Sequence, residues 1–393
     1  MLPLYYEYHN PVKILSGESA LENIPYELGV LEARAPLLLS DEGLVQAGAV
    51  DTVLSHMKPA VPKATFTQIP PDSSVAVVNE IARFFTDQGC DSILAVGGGS
   101  VIDTAKGVRM VISQGATDLE ALMGCEVLTA GTHIPFIAVP TTAGTGSECT
   151  PVAVISNPEK QVKQEYISAH LLPDAAILDV RMTLTLPPKV TASTGIDALC
   201  HAIEAYTCLQ KNPMSDAYAA AAMGMILENL PKVVENGQDK AARLAMANAS
   251  LMAGTAFGNS MVGLVHAIGH SLGGICHVAH GDAMSILLPH VMDYNLDMCR
   301  EVYSSLLLHL AGPEAYVAIS EAQRAEAAVA LVRNFIASFH ERCSLPIRLK
   351  DTGRVTEDQF EAVARTAISD GAIIVNPKAA GIPEIVDILK KAW

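Results

Sequence analysis

Two segments carry the residues best suited to chemistry. Residues 195–206 read GIDALCHAIEAY, where Asp197 and His201 stand at i and i+4 and so share one face of a helix. Residues 264–282 read LVHAIGHSLGGICHVAHGD, where His266 and His270 repeat that spacing and His280 lies ten residues beyond. Asp197, His201, His266 and His280 together offer one carboxylate and three imidazoles, a donor set suited to Fe(II) or Zn(II) with a position left open. Buried or helix-capping histidines of purely structural role are the plainer alternative for any single ring. Four histidines within fifteen residues, in a stretch free of charge, favour a metal. His270 lies one turn past His266, too far along the helix to coordinate, and an imidazole there that titrates near neutrality could carry protons. His277 is read as a support for a ligand or as a structural residue. Glu204, one turn from His201, is read as a helix-face residue or a support for a ligand.

A second kind of chemistry is suggested by glycine. Residues 92–107 read SILAVGGGSVIDTAKG, an apolar strand running into Gly97, Gly98 and Gly99 and then a helical pattern. Glycines there would let the backbone turn sharply and approach a ligand. Ser100 and Asp103 have the spacing of a capping box that starts the helix, and a helix N-terminus after such a turn is a ready anion site. The motif lacks the third glycine of the dinucleotide fingerprint, so an ordinary tight turn stays open. A second loop, residues 140–148 (PTTAGTGSE), adds the hydroxyls of Thr141, Thr142, Thr145 and Ser147. Two such loops at the ends of successive strands converge on one edge of a sheet, where a diphosphate-containing ligand binds. Asp41 ends the apolar run PLLLS, where it would accept from ribose hydroxyls and favour NAD over NADP, or else cap the following helix.

These residues need elements to hold them. Before residue 187, short aliphatic runs at 36–40, 64–68, 92–96, 135–139 and 175–178 alternate with helical spacing such as Val75, Val78, Ile81, Ala82 and Phe85. That alternation predicts βαβ units and a parallel sheet, with a further strand and turn over residues 152–167. Beyond Pro187 and Pro188, helical patterns take over, at 192–205, 216–230, 241–254, 321–339 and 356–367. Residues 217–227 (AYAAAAMGMIL) are apolar nearly all round and predict a buried central helix. The expectation is an α/β dinucleotide-binding domain over residues 1–187 and an all-helical, metal-binding domain over 188–393, with a ligand cleft between them.

Composition narrows the function classes. The 393 residues are 50% hydrophobic and 17% charged, with a net charge of −16. That excludes a disordered chain and argues against nucleic acid or an anionic membrane as partner. The first eight residues have no basic start and no continuous apolar run, so they predict no secretory signal. Residues 244–281 carry no Asp, Glu, Lys or Arg, yet their four His and two Asn suit a soluble core better than a membrane span. Eight scattered cysteines with no C-x-x-C pair predict free thiols in a reducing cytoplasm.

With these motifs in view, the sequence resembles the iron-containing (group III) alcohol dehydrogenases along essentially its whole length. The carriers are GGGSVIDTAKG from Gly97, PTTAGTGSE from Pro140, LPP…TGIDALCHAIEAY from Leu186 and GLVHAIGHSLGG…HG from Gly263. The resemblance implies a Rossmann-like N-terminal domain, an all-α C-terminal domain and a metal in the cleft. It implies Asp197, His201, His266 and His280 as ligands to Fe(2+), with Zn(2+) the alternative, and His270 as proton relay. It also implies NAD(H) contacts from Asp41, Gly98, Gly99, Ser100, Thr141, Thr142, Thr150, Lys163 and Met182, and a substrate pocket lined by Phe257 and Val152. Relatives often carry Asn-Pro-Thr where this chain has Pro71, Asp72 and Ser73, and some carry a polar residue at Val152, so the pocket suits apolar substrates. The implied activity is NAD-linked oxidation of a small primary alcohol or reduction of its aldehyde, by a homodimer or larger homo-oligomer. A glycerol dehydrogenase, a dehydroquinate synthase-like lyase and a non-enzymatic metal- or nucleotide-binding protein are the alternatives.

Overall fold

The computed structural model describes residues 3–125, 128, 131–160 and 162–393. It divides into two compact units: one is His9–Leu186, and the other joins Pro187–Trp393 with the described residues up to Tyr8.

Among the described residues of the first unit nine strands form two sheets: β1 Lys13–Gly17, β2 Pro36–Leu39, β3 Ala64–Phe66, β4 Ser92–Gly97, β5 Gly124–Cys125, β6 Phe136–Pro140, β7 Val152–Asn157, β8 Val162–Ile167 and β9 Ala175–Asp179. The larger sheet has the order β1-β9-β6-β4-β2-β3 with every pairing parallel. The smaller has the order β5-β8-β7. Strands β2, β4, β6 and β9 are buried along their whole length, as a parallel sheet covered on both faces requires. Alternate side chains divide between the faces: Leu37, Leu39, Ile93 and Ala95 enter one apolar cluster, and Leu38, Leu94, Val96 and Val139 the other. Among the described residues, helices α1 Ile24–Val30, α2 Glu42–Gln46, α3 Ala49–His56, α4 Val75–Asp87 and α5 Gly99–Ser113 cover the sheet. From β2 the chain passes to β3 on one side and then to β4 on the other. This reversal is a topological switch point, and ligands bind open α/β sheets outside the strand C-termini at such points. The expected strands are present, and β1, which the sequence pattern did not mark, is an edge strand with polar and half-exposed positions.

The second unit contains α6 Pro188–Thr207, α7 Pro213–Glu235, α8 Lys240–Phe257, α9 Leu264–Cys276, α10 His280–Ala318, α11 Arg324–Cys343, α12 Phe360–Ala367 and α13 Ile382–Lys391. Its central helix is α6, which packs on α7, α8 and α10. The expectation of a wholly buried helix over 217–227 is corrected here. Helix α7 buries Ala219, Ala222, Met223, Ile226 and Leu230 and exposes Ala217, Ala221 and Gly224. Alanine sides with helices for its propensity and loses little by facing water, so an alanine-rich run overstates burial. Among the described residues, no helix is long and apolar enough to cross a membrane, and seven cysteines are free thiols.

Candidate active site

Helix α6 carries Asp197, His201 and Glu204 on one buried face. Helix α9 carries His266 and His270, and α10 begins at His280. His277 caps α9 in the left-handed region (φ 56°) and is exposed, so it belongs to the turn and not to the cluster. Glycine lets the turn close on α6: a Cβ on Gly281 would lie 2.8 Å from the Ser193 carbonyl oxygen.

The structure brings Asp197, His201, His266 and His280 together. Asp197 Oδ1 lies 3.3 Å from His280 Nε2, 3.8 Å from His266 Nε2 and 3.9 Å from His201 Nδ1. Ring centroids of His201 and His266 are 4.5 Å apart, and those of His266 and His280 are 5.6 Å apart. Asp197, His201 and His266 are buried, while the His280 side chain keeps 26% of its surface exposed and forms the open side. Phe257 stacks on His201 at 4.4 Å, from an apolar cluster with Val262, Ala267, Ala372 and Ile373.

Electrostatics bind these groups to one another. Burial opposes ionisation of Asp197, yet the neighbouring His201, His280 and His266 imidazoles hold its pKa well below the usual carboxylate range. Burial likewise opposes a charged His266, but Glu204 and Asp197 lift its pKa to about 9. Asp197 Oδ1 and His266 Nε2 are nevertheless buried polar atoms that make no hydrogen bond, a condition that costs free energy unless another partner is supplied. Oxygen and nitrogen ligands each about 2.0–2.2 Å from one tetrahedral ion stand roughly 3.3–3.6 Å apart. The Asp197–His280 spacing falls in that range and those to His266 and His201 lie just beyond it; with the donor types and the two orphaned atoms this fits a divalent transition metal.

Two carboxylates support the cluster from behind. Glu204 Oε2 pairs with His266 Nδ1 at 2.5 Å while its Oε1 accepts from the Val265 backbone N–H at 2.7 Å. Asp370 Oδ2 pairs with His270 Nδ1 at 2.9 Å while its Oδ1 accepts from the Ala372 N–H. Burial would raise the Asp370 pKa, but the adjacent His270 holds it below the ordinary value. Glu204 was visible on the His201 helix face. Asp370 carried no signal, since it meets His270 across 100 residues of chain.

In the α/β unit six of the nine expected cofactor residues line three adjacent strand ends at the switch point. Asp41 follows β2, Gly98, Gly99 and Ser100 follow β4, and Thr141 and Thr142 follow β6. Asp41 Oδ1 accepts from the Leu44 N–H at 2.9 Å, so the N-cap alternative holds. A carboxylate has acceptor capacity left for a ribose hydroxyl. The capping box expected of Ser100 and Asp103 does not form, because α5 is capped by Gly98 with no side-chain bond. Nor does left-handed backbone explain these glycines. A Cβ on Gly97 would strike Val101 at 2.4 Å, one on Gly99 would meet Thr145 Cγ2 at 2.7 Å, and one on Gly98 would press on Thr142 at 3.2 Å. The second loop thus lies directly on the first. Among the remaining expected contacts, Thr150 is buried and accepts from Lys106 Nζ, Lys163 is ion-paired with Asp72 at 2.6 Å, and Met182 is buried in the apolar cluster of Leu38 and Val96. Val152 begins β7, and its carbonyl accepts from Lys106. Glu148 is fully buried, which raises its pKa from 4.5 to about 7 despite Lys106 nearby.

A parallel-sheet unit with glycine loops at its switch point, continued by a helical unit that gathers a carboxylate and three imidazoles, has the architecture of a two-unit dehydrogenase. Residues 11–180 match the family described as iron-containing alcohol dehydrogenase, and residues 191–393 match the Fe-containing alcohol dehydrogenase family, C-terminal. The NAD-dependent methanol dehydrogenase of Bacillus methanolicus is 35% identical over 385 residues, 97% of this chain and 98% of that protein. The 1,3-propanediol dehydrogenase of Citrobacter freundii is 36% identical over 391 residues, 99% of each chain. A crystal structure of a 1,3-propanediol oxidoreductase superposes with a TM-score of 0.93 at 35% identity, over 99% of this chain and 100% of that one. The chain belongs to the iron-containing alcohol dehydrogenase family.

Proposed function

We propose that this protein is a metal-dependent, NAD-linked alcohol dehydrogenase that interconverts short primary alcohols and their aldehydes. Asp197, His201, His266 and His280 would hold the metal, Fe(2+) by family and Zn(2+) by the affinity order of divalent ions. When bound, the ion supplies Lewis acidity toward an alcohol or carbonyl oxygen, and the dinucleotide supplies the hydride acceptor or donor. The chain's own groups do the rest. Glu204 holds His266 by Nδ1, which turns its Nε2 toward Asp197. Asp370 engages His270 Nδ1 and so makes Nε2 the nitrogen that takes up or returns the hydroxyl proton. Phe257 covers one face of His201 and gives an apolar wall suited to an alkyl chain, while Val152 stays a proposed pocket residue of the α/β unit. The N-terminus of α5 and the loop after β6 would bind the diphosphate through backbone N–H groups and hydroxyls, and Asp41 the adenosine ribose.

The relatives named above, which act on methanol and 1,3-propanediol, support the short-alcohol reading. The free thiols support a reducing cytoplasm, and family likeness supports a homodimer or larger assembly, which sedimentation would test. One observation supports the reading: the buried Asp197 carboxylate lies 3.3–3.9 Å from three imidazoles carried by three helices. The test is NADH formation from C1–C6 alcohols by protein stripped with chelator and reconstituted with Fe(2+) or Zn(2+). The reading expects turnover only after reconstitution, and equal turnover by stripped protein would overturn it.

A further inference from the structure

Helix α9, which carries His266 and His270, has no cap of its own, because Gly263 stands at its N-cap position with no side chain to bond. The first N–H groups of a helix lack partners within it, and here two other parts of the chain supply them. The Val265 N–H donates to Glu204 Oε1 at 2.7 Å, and the Leu264 N–H donates to Asn376 Oδ1 at 3.2 Å. A Cβ on Gly263 would press on both acceptors at 3.1 Å, so glycine lets them reach the helix. Asn376 is buried, and so is Asn295 of α10, which faces it in a reciprocal amide pair. Asn376 Nδ2 donates to Asn295 Oδ1 at 2.9 Å, and Asn295 Nδ2 donates to Asn376 Oδ1 at 3.0 Å. Asn376 Nδ2 also donates to the Lys378 carbonyl at 2.6 Å. An amide side chain has two acceptor positions and two N–H bonds, and Asn376 uses every one.

This one side chain joins three parts of the frame around the histidine cluster. Leu264 lies two residues before His266 on α9, and Asn295 lies on the helix that starts at His280. Asn376 itself closes the turn Gly371–Val375, which follows Asp370, the partner of His270. Burying amides carries a desolvation cost that their hydrogen bonds do little more than offset. Apolar side chains of similar size would fill the core as well, but they would not fix a direction. We infer that Asn376, oriented by Asn295, is a positioning residue of the cluster: it fixes the start of α9 against α10, so that His266 and His280 stand at their spacing from Asp197 before an ion arrives. This deepens the proposed function and rests on its reading of the four residues as metal ligands. Groups that hold a ligating histidine directly are worth about 10–100-fold in metal affinity. Asn376 acts through the backbone two residues away, so its loss should cost roughly tenfold, the lower end of that range.

The test is the Zn(2+) affinity of full-length protein, read by competition with a chromophoric chelator, in Asn376→Ala and Asn295→Leu. The second variant removes the orienting partner but leaves Asn376 its bonds to Leu264 and Lys378, so it decides the matter if Asn376→Ala does not fold. Zinc affinity should fall roughly tenfold in Asn376→Ala and about fivefold in Asn295→Leu. Amide hydrogen exchange at Leu264 and Val265 should quicken in both metal-free variants. Ile336→Ala is the control: it truncates a buried side chain on α11, which carries no member of the cluster, and should lower the thermal midpoint while holding zinc as wild type does. Zinc affinity within about twofold of wild type in Asn295→Leu, or an equal loss in Ile336→Ala, would overturn the positioning role. Wild-type protein that takes up no zinc would instead overturn the reading of the ligands.

Discussion

Replacing Glu204 with Gln should loosen the metal while leaving the fold intact. The carboxylate makes two contacts, Oε2 with His266 Nδ1 at 2.5 Å and Oε1 with the Val265 N–H at 2.7 Å. Gln can keep the backbone contact through its own oxygen but loses the charge and offers an N–H donor where His266 needs an acceptor. Losing a carboxylate that orients a ligating histidine weakens metal affinity by about 10–100-fold, which is roughly 1.4–2.8 kcal/mol. Glu204→Ala is a poorer probe, because it also strands a buried N–H at about 1–3 kcal/mol of stability. The assay is competition for Zn(2+) against a chromophoric chelator. Because Glu204 also raises the His266 pKa, both proteins are titrated over the same pH series near neutrality, so that proton competition is separated from the difference in metal affinity. Zinc affinity within threefold of wild type would refute the idea that Glu204 sets the ligand.

Three further outcomes follow from the geometry. Glu148 titrates near pH 7 when folded against 4.5 ordinarily, so its contribution to stability is present below about pH 4.5 and is lost as pH rises to about 7, a change of roughly 3 kcal/mol. Glu148→Gln should therefore gain on wild type in thermal midpoint between pH 5 and 8, and parallel pH curves would contradict this. Gly281→Ala places a methyl 2.8 Å from the Ser193 carbonyl oxygen; it should cost about 1–3 kcal/mol and weaken metal binding by moving His280, a result checked by calorimetry and metal titration. Gly99→Ala meets Thr145 at 2.7 Å; NADH affinity should fall, and the pair Gly99→Ala, Thr145→Ser should recover part of it, whereas no recovery would show that the contact is not the cause.

Local spacing made much of this architecture legible. Asp197 and His201 on α6, and His266 and His270 on α9, share faces because i,i+4 spacing leaves little choice. The aliphatic runs of β2, β4, β6 and β9 read as strands because a sheet covered on both faces tolerates few polar side chains. What stayed hidden depends on contacts far apart in sequence. Asp370 reaches His270 only in the folded unit, and Ser100 and Asp103 fail to cap α5 because Asp103 is drawn to Ser147 and Val154. From the sequence alone, the glycine triplet reads as room for a ligand. In the structure that room is largely taken by Val101, Thr142 and Thr145.

The most direct test is metal content by elemental analysis of wild type beside His266→Ala and His280→Ala, with circular dichroism and NADH titration as controls. One ion per chain in wild type, lost from both variants while helicity and NADH affinity persist, is the predicted result. A full complement of metal in His266→Ala, whose ring lies 4.5 Å from that of His201 and 5.6 Å from that of His280, would contradict the account.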